Sequence, residues 1–195
     1  MNPITRRRTR GFTLIELMIG ITLLGILLVF AYPSYTSFIR NSQIRTAAES
    51  VLNGLQLARA EAIRRNSNVQ FVLLNEANSA ATPGGTDWVI RAPNADSPGG
   101  VEDVQTRREN ATSAIGARIG AATATSATPA APGAKMPATI AFTALGRLTT
   151  ATTIRQIDIT GAEGTRNLTI VLAPGGDVRL CDPNLSLATN PQGCS

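Results

Sequence analysis

Few residues in this chain are equipped for chemistry. It has no histidine, two cysteines, 13 carboxylates and one lysine, Lys135. Without imidazole there is no His-based triad, no imidazole metal ligand and no ordinary pH switch. Two cysteines cannot build a Cys₄ zinc site. A Ser-Lys design would rest on Lys135, which lies in an Ala/Thr/Pro-rich stretch, a poor platform for a rigid site. The acids are scattered, Glu102-Asp103 reads as a solvated pair, and no Gly-x-x-x-x-Gly-Lys phosphate loop exists. The sequence therefore predicts no enzyme, no catalytic residues, no metal and no cofactor. Two features remain. Cys181 and Cys194 lie 13 positions apart near the C-terminus. In an oxidising compartment they are expected to form a disulfide, a free thiol or an intermolecular bond being the alternatives. The other feature is Glu16.

Glu16 is the single charge between Phe12 and Tyr32, a run of 21 residues. As a helix this run spans ~31 Å, about one bilayer core. It is apolar around its whole circumference, unlike a one-faced soluble helix. Arg6, Arg7, Arg8 and Arg10 precede it. Under the positive-inside rule that cluster stays cytoplasmic and the bulk of the chain lies outside. A cleaved secretory signal has a similar basic start, but this apolar run is longer than the usual one and lacks a small-x-small site before Pro33. A carboxylate inside such a segment is expensive and marks function by default. Thr13-Leu14-Ile15-Glu16 also has the form of a capping box, although Gln would cap without burying charge.

Gly11-Phe12-Thr13-Leu14-Ile15-Glu16, behind its basic leader, resembles the class III signal of type IV pilins and type II secretion pseudopilins. The resemblance implies cleavage between Gly11 and Phe12 by a prepilin peptidase, which also N-methylates Phe12. It implies that Glu16 neutralises the terminal amine of a neighbouring subunit during assembly. A carboxylate and an ammonium are each costly unpaired in low dielectric, so their pairing favours one axial register. Pro33 matches a position at which the family's helix is kinked. Gly20 and Gly25 are open to two readings, local melting in a filament or close helix packing.

Beyond Pro33 an apolar stripe recurs at Ile44, Ala48, Val51, Leu55, Ala58 and Ala62, in alternating steps of four and three. Leu52 and Ile63 widen it. Arg45–Glu49 and Glu61–Arg65 are i,i+4 pairs. These residues predict one helix from about Phe12 to Arg65, bent near Pro33, its second half packed on a sheet. Asn66-Ser67-Asn68 should stop it. Strands are expected at Val69–Leu74, Asp87–Arg91, Thr139–Thr143, Ile154–Ile159, Leu168–Leu172 and Asp177–Cys181. Turns at Leu145-Gly146-Arg147 and Pro174-Gly175-Gly176 imply antiparallel pairing. Residues 75–86 and 111–137 read as loops, the second hiding at most one strand near Ile115–Ile119.

Leu55 to Ile63, Ile140 to Arg147, and Arg166 to Ile170 with Gly176-Asp177-Val178-Arg179 are similar to segments of the GspH/FimT family of minor pilins and pseudopilins. The resemblance implies an α+β, pilin-like fold: a long N-terminal helix on an antiparallel β-sheet head with a C-terminal disulfide loop. It divides the chain into a cleaved leader 1–11, a transmembrane and filament-core helix 12–33, an amphipathic helix 34–65 and a β-rich periplasmic head 66–195. The protein is first anchored in the inner membrane, N-terminus cytoplasmic, and then enters a filament. Its implied partners are the prepilin peptidase/N-methyltransferase and other minor and major pilins or pseudopilins. The implied function is that of a minor pilin in assembly, priming or the tip of a type IV pilus. A type II secretion pseudopilin is the near alternative.

A DNA receptor is the third reading. A formal charge of +5 and a pI near 10.2 invite nucleic acid, and Arg147, Arg155, Arg166 and Arg179 could form a patch. FimT-like DNA binders use a Gly-Arg-x-Arg motif, but here Asp177 replaces its first Arg and puts an anion where phosphate would approach. Position also empties the charge of meaning. Removing residues 1–11 takes four arginines and no acid, leaving 14 cations against 13 acids.

Overall fold

The computed structural model describes residues 12–74, 84–94, 97, 99–108, 117–161 and 165–194, with Phe30, Ala31 and Pro33 placed by backbone only. The leader 1–11, with Gly11, residues 75–83 and 111–116 of the expected loops, and residues 109–110 lie outside the described residues. The chain divides into two units, Met1–Phe38 and Ile39–Ser195. Helix α1 runs Leu14–Arg65. It starts at Thr13, whose Oγ1 accepts the Glu16 N–H at 3.2 Å and whose carbonyl accepts the Leu17 N–H, so Thr13 is the N-cap. It ends where the sequence predicts. Asn66 takes φ of 49°, and the N–H groups of Ser67 and Asn66 bond the carbonyls of Ala62 and Ile63. This Schellman arrangement satisfies the last carbonyls.

In the second unit, strands β1 (Val69–Leu73), β2 (Trp88–Pro93), β3 (Val101–Arg107) and β5 (Ala138–Phe142) form one antiparallel sheet in the order β3-β2-β1-β5. Strands β4 (Arg118–Ala122), β6 (Gln156–Thr160), β7 (Leu168–Leu172) and β8 (Val178–Cys181) form a second, in the order β4-β6-β7-β8. The expected antiparallel β-sheet head is built as two four-stranded sheets. They share one core with the stripe of α1, from Ile44 to Ala62. All six stripe residues are buried; Leu52 packs on the margin, but Ile63, expected to widen the stripe, is exposed. It lies beside the turn at Gly146, at the rim of the core.

Helix and first sheet approach most closely at Gly54. A Cβ there would meet Phe71 Cε2 at 2.6 Å and Trp88 at 3.2 Å. The absent side chain lets the two rings, tilted by 36° with centroids 5.4 Å apart, lie under the helix, and Trp88 Nε1 donates to Ser50 Oγ at 3.1 Å. The second sheet is covered on its other face by residues 123–137, the segment of low complexity. Its Ser126 N–H donates to Gln156 Oε1 at 2.6 Å, and Gln156 Nε2 donates back to the Ser126 carbonyl. Ala130 N–H donates to Asp158 at 2.8 Å, and Thr169 Oγ1 at 2.6 Å. Asp158 is fully buried with no paired cation among the described residues, and these donors replace water around it.

Candidate functional site

Two places gather the residues singled out above: the start of α1 and the C-terminal end of the head. In the first unit, every large apolar side chain described from Phe12 to Val29 is exposed, Phe12 by 84% and Leu27 by 66%. One hydroxyl along it turns inward instead. Thr22 Oγ1 donates to the Ile19 carbonyl at 2.9 Å, which hides its hydroxyl on the helix itself. Such a surface is unfavourable in water at roughly 25 cal/mol per Å² and favourable in lipid or among like helices. Among the described residues no single straight helix is long and apolar enough to cross a membrane. The bent pair Leu14–Val29 and Ser34–Arg65 meets the length and composition together. The break between them contains Pro33, which lacks the N–H for a helical bond.

Glu16 sits in the first turn of α1, where the partial positive charge of the helix end favours an anion. Its N–H is used by Thr13, while its carboxylate has no bonded partner among the described residues. Half of the capping box therefore forms, and the carboxylate is left to accept a proton donor or cation from elsewhere.

At the other end of the chain Cys181 and Cys194 form a disulfide, Cα–Cα 5.1 Å. The loop between them is tied by Asp182. The Arg166 guanidinium pairs with Asp182, and the Asn184 N–H donates to the same carboxylate at 2.8 Å. Arg166 also donates its backbone N–H to Asn41 Oδ1 at 2.9 Å, so one residue joins the disulfide loop to α1. Arg179 donates to the Cys194 carbonyl at 3.2 Å, and Arg155 to the carbonyls of Thr152 and Ile154. Three of the four arginines considered for DNA are thus bonded within the head. Arg147 is exposed on a turn and Asp177 is exposed nearby in sequence to Arg179. The turns at Gly146 and Gly176 pack backbone to backbone: both have positive φ, and a Cβ on Gly176 would lie 1.9 Å from the Gly146 carbonyl oxygen.

The Glu61–Arg65 pair was expected; its extension to Arg64 and across to Glu102 on β3 was missed. Glu61 accepts from Arg64 and Arg65, each at 2.6 Å, and Arg65 reaches on to Glu102. The hydrogen bonds from Arg64 and Arg65 pull the Glu61 carboxyl down to about 2. Asp103 accepts from Arg91 at 3.0 Å. Glu102 and Asp103 remain open to solvent on the strand, their side chains 41% and 53% exposed, and each is also ion-paired. No apolar periodicity advertises that strand.

An all-round apolar helix opening on a carboxylate, followed by a two-sheet head with a C-terminal disulfide, defines a pilin-like protein. The crystal structure of the type IV minor pilin FimU of Pseudomonas aeruginosa is similar over 76% of this chain and 95% of that one, with a TM-score of 0.50 and 16% identity, which shows the fold. The minor pseudopilin EpsH of the type 2 secretion system of Vibrio cholerae aligns over 73% and 99%, with a TM-score of 0.46 and 16% identity. Residues 6–32 match the prokaryotic N-terminal methylation motif. Residues 47–176 match the family described as type II transport protein GspH, and the chain belongs to that family. It is also 50% identical over 54 residues to the type IV major fimbrial protein FimA of Dichelobacter nodosus, 27% of this chain and 32% of that protein. The chain thus spans about a third of the length of the curated relatives it matches.

Proposed function

We propose that the chain is a minor pilin, a structural subunit that helps to prime or cap a type IV pilus. The observation that carries this reading is the methylation motif over 6–32 leading into a helix whose apolar surface is exposed on every side. A prepilin peptidase cuts between Gly11 and Phe12 and methylates the new terminus. The apolar helix waits in the inner membrane with the head in the periplasm. On assembly it passes from lipid to a bundle of like helices, and the solvent around it stays apolar throughout. Glu16, unpartnered within its own chain among the described residues, then meets the Phe12 ammonium of a neighbour. Pro33 supplies the kink, and the Cys181–Cys194 loop holds the far edge of the head. Partners are other minor and major pilins; the role is structural, with no catalytic step.

The experiment is replacement of Glu16 by Ala or Gln, followed by fractionation of membranes and sheared filaments. Processing should continue and incorporation should fall at least tenfold. Wild-type incorporation of both variants would remove Glu16 from assembly. The GspH match favours one second reading, a pseudopilin of a type II secretion system. Deletion separates the two: loss of pili with secretion intact supports the pilus. DNA uptake gains no support from the head, where Arg166 and Arg179 are engaged by Asp182 and the Cys194 carbonyl.

A further inference from the structure

The head contains a cleft of about 460 Å³ between α1 and the outer strand of the first sheet. One wall is α1 at Asn53 and Leu57, the floor is Trp88, and the other wall is the end of β3 from Gln105 to Arg108. The cleft exists because Gly54 lets Trp88 slide beneath the helix, where Ser50 fixes its indole N–H. Asn53 and Leu57 then stand at the rim, both exposed.

The charges along β3 are sorted. Its acids lie at the start, Glu102 held by Arg65 and Asp103 by Arg91. Its cation Arg107, and Arg108 just after it, lie at the end, in a lining with no acid among the described residues. Among the described residues β3 pairs on β2 alone, so its other edge has backbone groups to offer. A register shift between Ile90 and Arg91 bulges the first half of that edge at Val104, and Gln105–Arg107 continue in regular register with Trp88–Ile90. A bulge blunts an edge; the regular portion left beside the cleft is the cationic one.

We propose that this cleft is a docking site for an acidic, extended segment of a partner protein. Its carboxylate meets Arg108, an apolar side chain covers Leu57, and its backbone adds to the edge at Gln105–Arg107. The site goes beyond the filament reading and stands without it, because it uses α1 only at Ser50 to Leu57 and none of residues 12–33. Nucleic acid fits it poorly. Strand recognition needs exposed aromatic faces for stacking, and the one aromatic in the lining, Trp88, is buried.

Trp88 is the only tryptophan of the chain, so its emission reads the cleft directly. The full chain in detergent micelles is titrated with a blocked octapeptide of alternating Glu and Val, by fluorescence and by calorimetry. The expected result is saturable binding with a shift in Trp88 emission. A Lys/Val peptide should not bind, and N-methylation of alternate peptide bonds should abolish binding. Arg108→Glu should weaken binding roughly tenfold, the worth of one charge-assisted hydrogen bond. Asn53→Phe should block the cleft sterically. Both positions are exposed, and melting temperatures should match wild type; where R108E lowers its own, Arg108→Gln takes its place. Absence of saturable Glu/Val binding, equal binding of the Lys/Val peptide, or unchanged affinity in both variants overturns the proposal. So does binding of a single-stranded oligonucleotide by a chain that ignores the acidic peptide.

Discussion

Residues 14–29 and residues 44–62 belong to one continuous helix, α1, and obey opposite rules. In the first stretch apolar residues cover every side and are exposed, Leu24 by 57%; in the second they form a stripe and are buried, Leu55 completely. Polarity follows suit. The first stretch carries one charge, Glu16, whereas the second is flanked by Arg45–Glu49 at 2.8 Å and ends in the Glu61 cluster. A helix that must choose between water and one core needs a stripe. A helix that moves from lipid into a bundle of its own kind never meets water and needs none. The difference teaches that the second stretch is specified by this chain alone and the first by its surroundings.

The largest test of that contrast is truncation of a leucine on each side. Leu55→Ala should destabilise the head by about 2–5 kcal/mol, since it empties a closed core. Leu24→Ala should leave thermal unfolding of the head unchanged in micelles and reduce retention in the membrane or filament. Equal losses of head stability would erase the distinction. Next comes the Cys181–Cys194 bond. Replacing both cysteines by Ser should cost about 3 kcal/mol of head stability, from the loop it closes, and should not alter membrane insertion.

The glycines sharpen the comparison further. Exchange of a helical glycine for alanine normally stabilises by ~1 kcal/mol. Gly25→Ala should follow that rule, because nothing lies within 4 Å of the new Cβ. Gly54→Ala should reverse its sign and destabilise by about 1–2 kcal/mol, because Phe71 and Trp88 fill the space. Denaturant midpoints measure both. The smallest effect concerns pH. Folding lowers the Glu61 pKa to about 2 from an ordinary value near 4.5, through Arg64 and Arg65. Its contribution to stability is therefore complete above about pH 4.5 and is lost as pH falls toward 2. Glu61→Gln should flatten that part of the stability profile and leave the neutral-pH fold intact.

The same contrast explains what could be read from the sequence. The stripe, the Schellman stop at Asn66 and the hairpin β7–β8 were legible because each is a local pattern with a local cause: period, positive φ and a two-glycine turn. Leu168–Leu172 was bounded correctly, and β1, β2, β5, β6 and β8 within two residues. β3 was not legible: Val-Glu-Asp-Val-Gln-Thr-Arg is a polar edge whose acids are explained only by Arg91, opposite on β2, and by the more distant Arg65 on α1. The strand suspected near Ile115–Ile119 is β4 at Arg118–Ala122. The segment after it read as featureless because its order comes from Gln156 and Asp158 on another strand. Division into two sheets is likewise a matter of distant pairing. At the assembly end the residues were legible, and their implied roles came from the family resemblance; within the described residues the Glu16 carboxylate has no bonded partner.

The central claim, that this protein works as a processed helix in an apolar filament, is tested most directly at its N-terminus. Intact-mass and N-terminal peptide analysis of the chain from sheared filaments should find Phe12 first, carrying one methyl group, with residues 1–11 absent. A full-length chain in that fraction, or a chain starting at any other residue, would contradict the account.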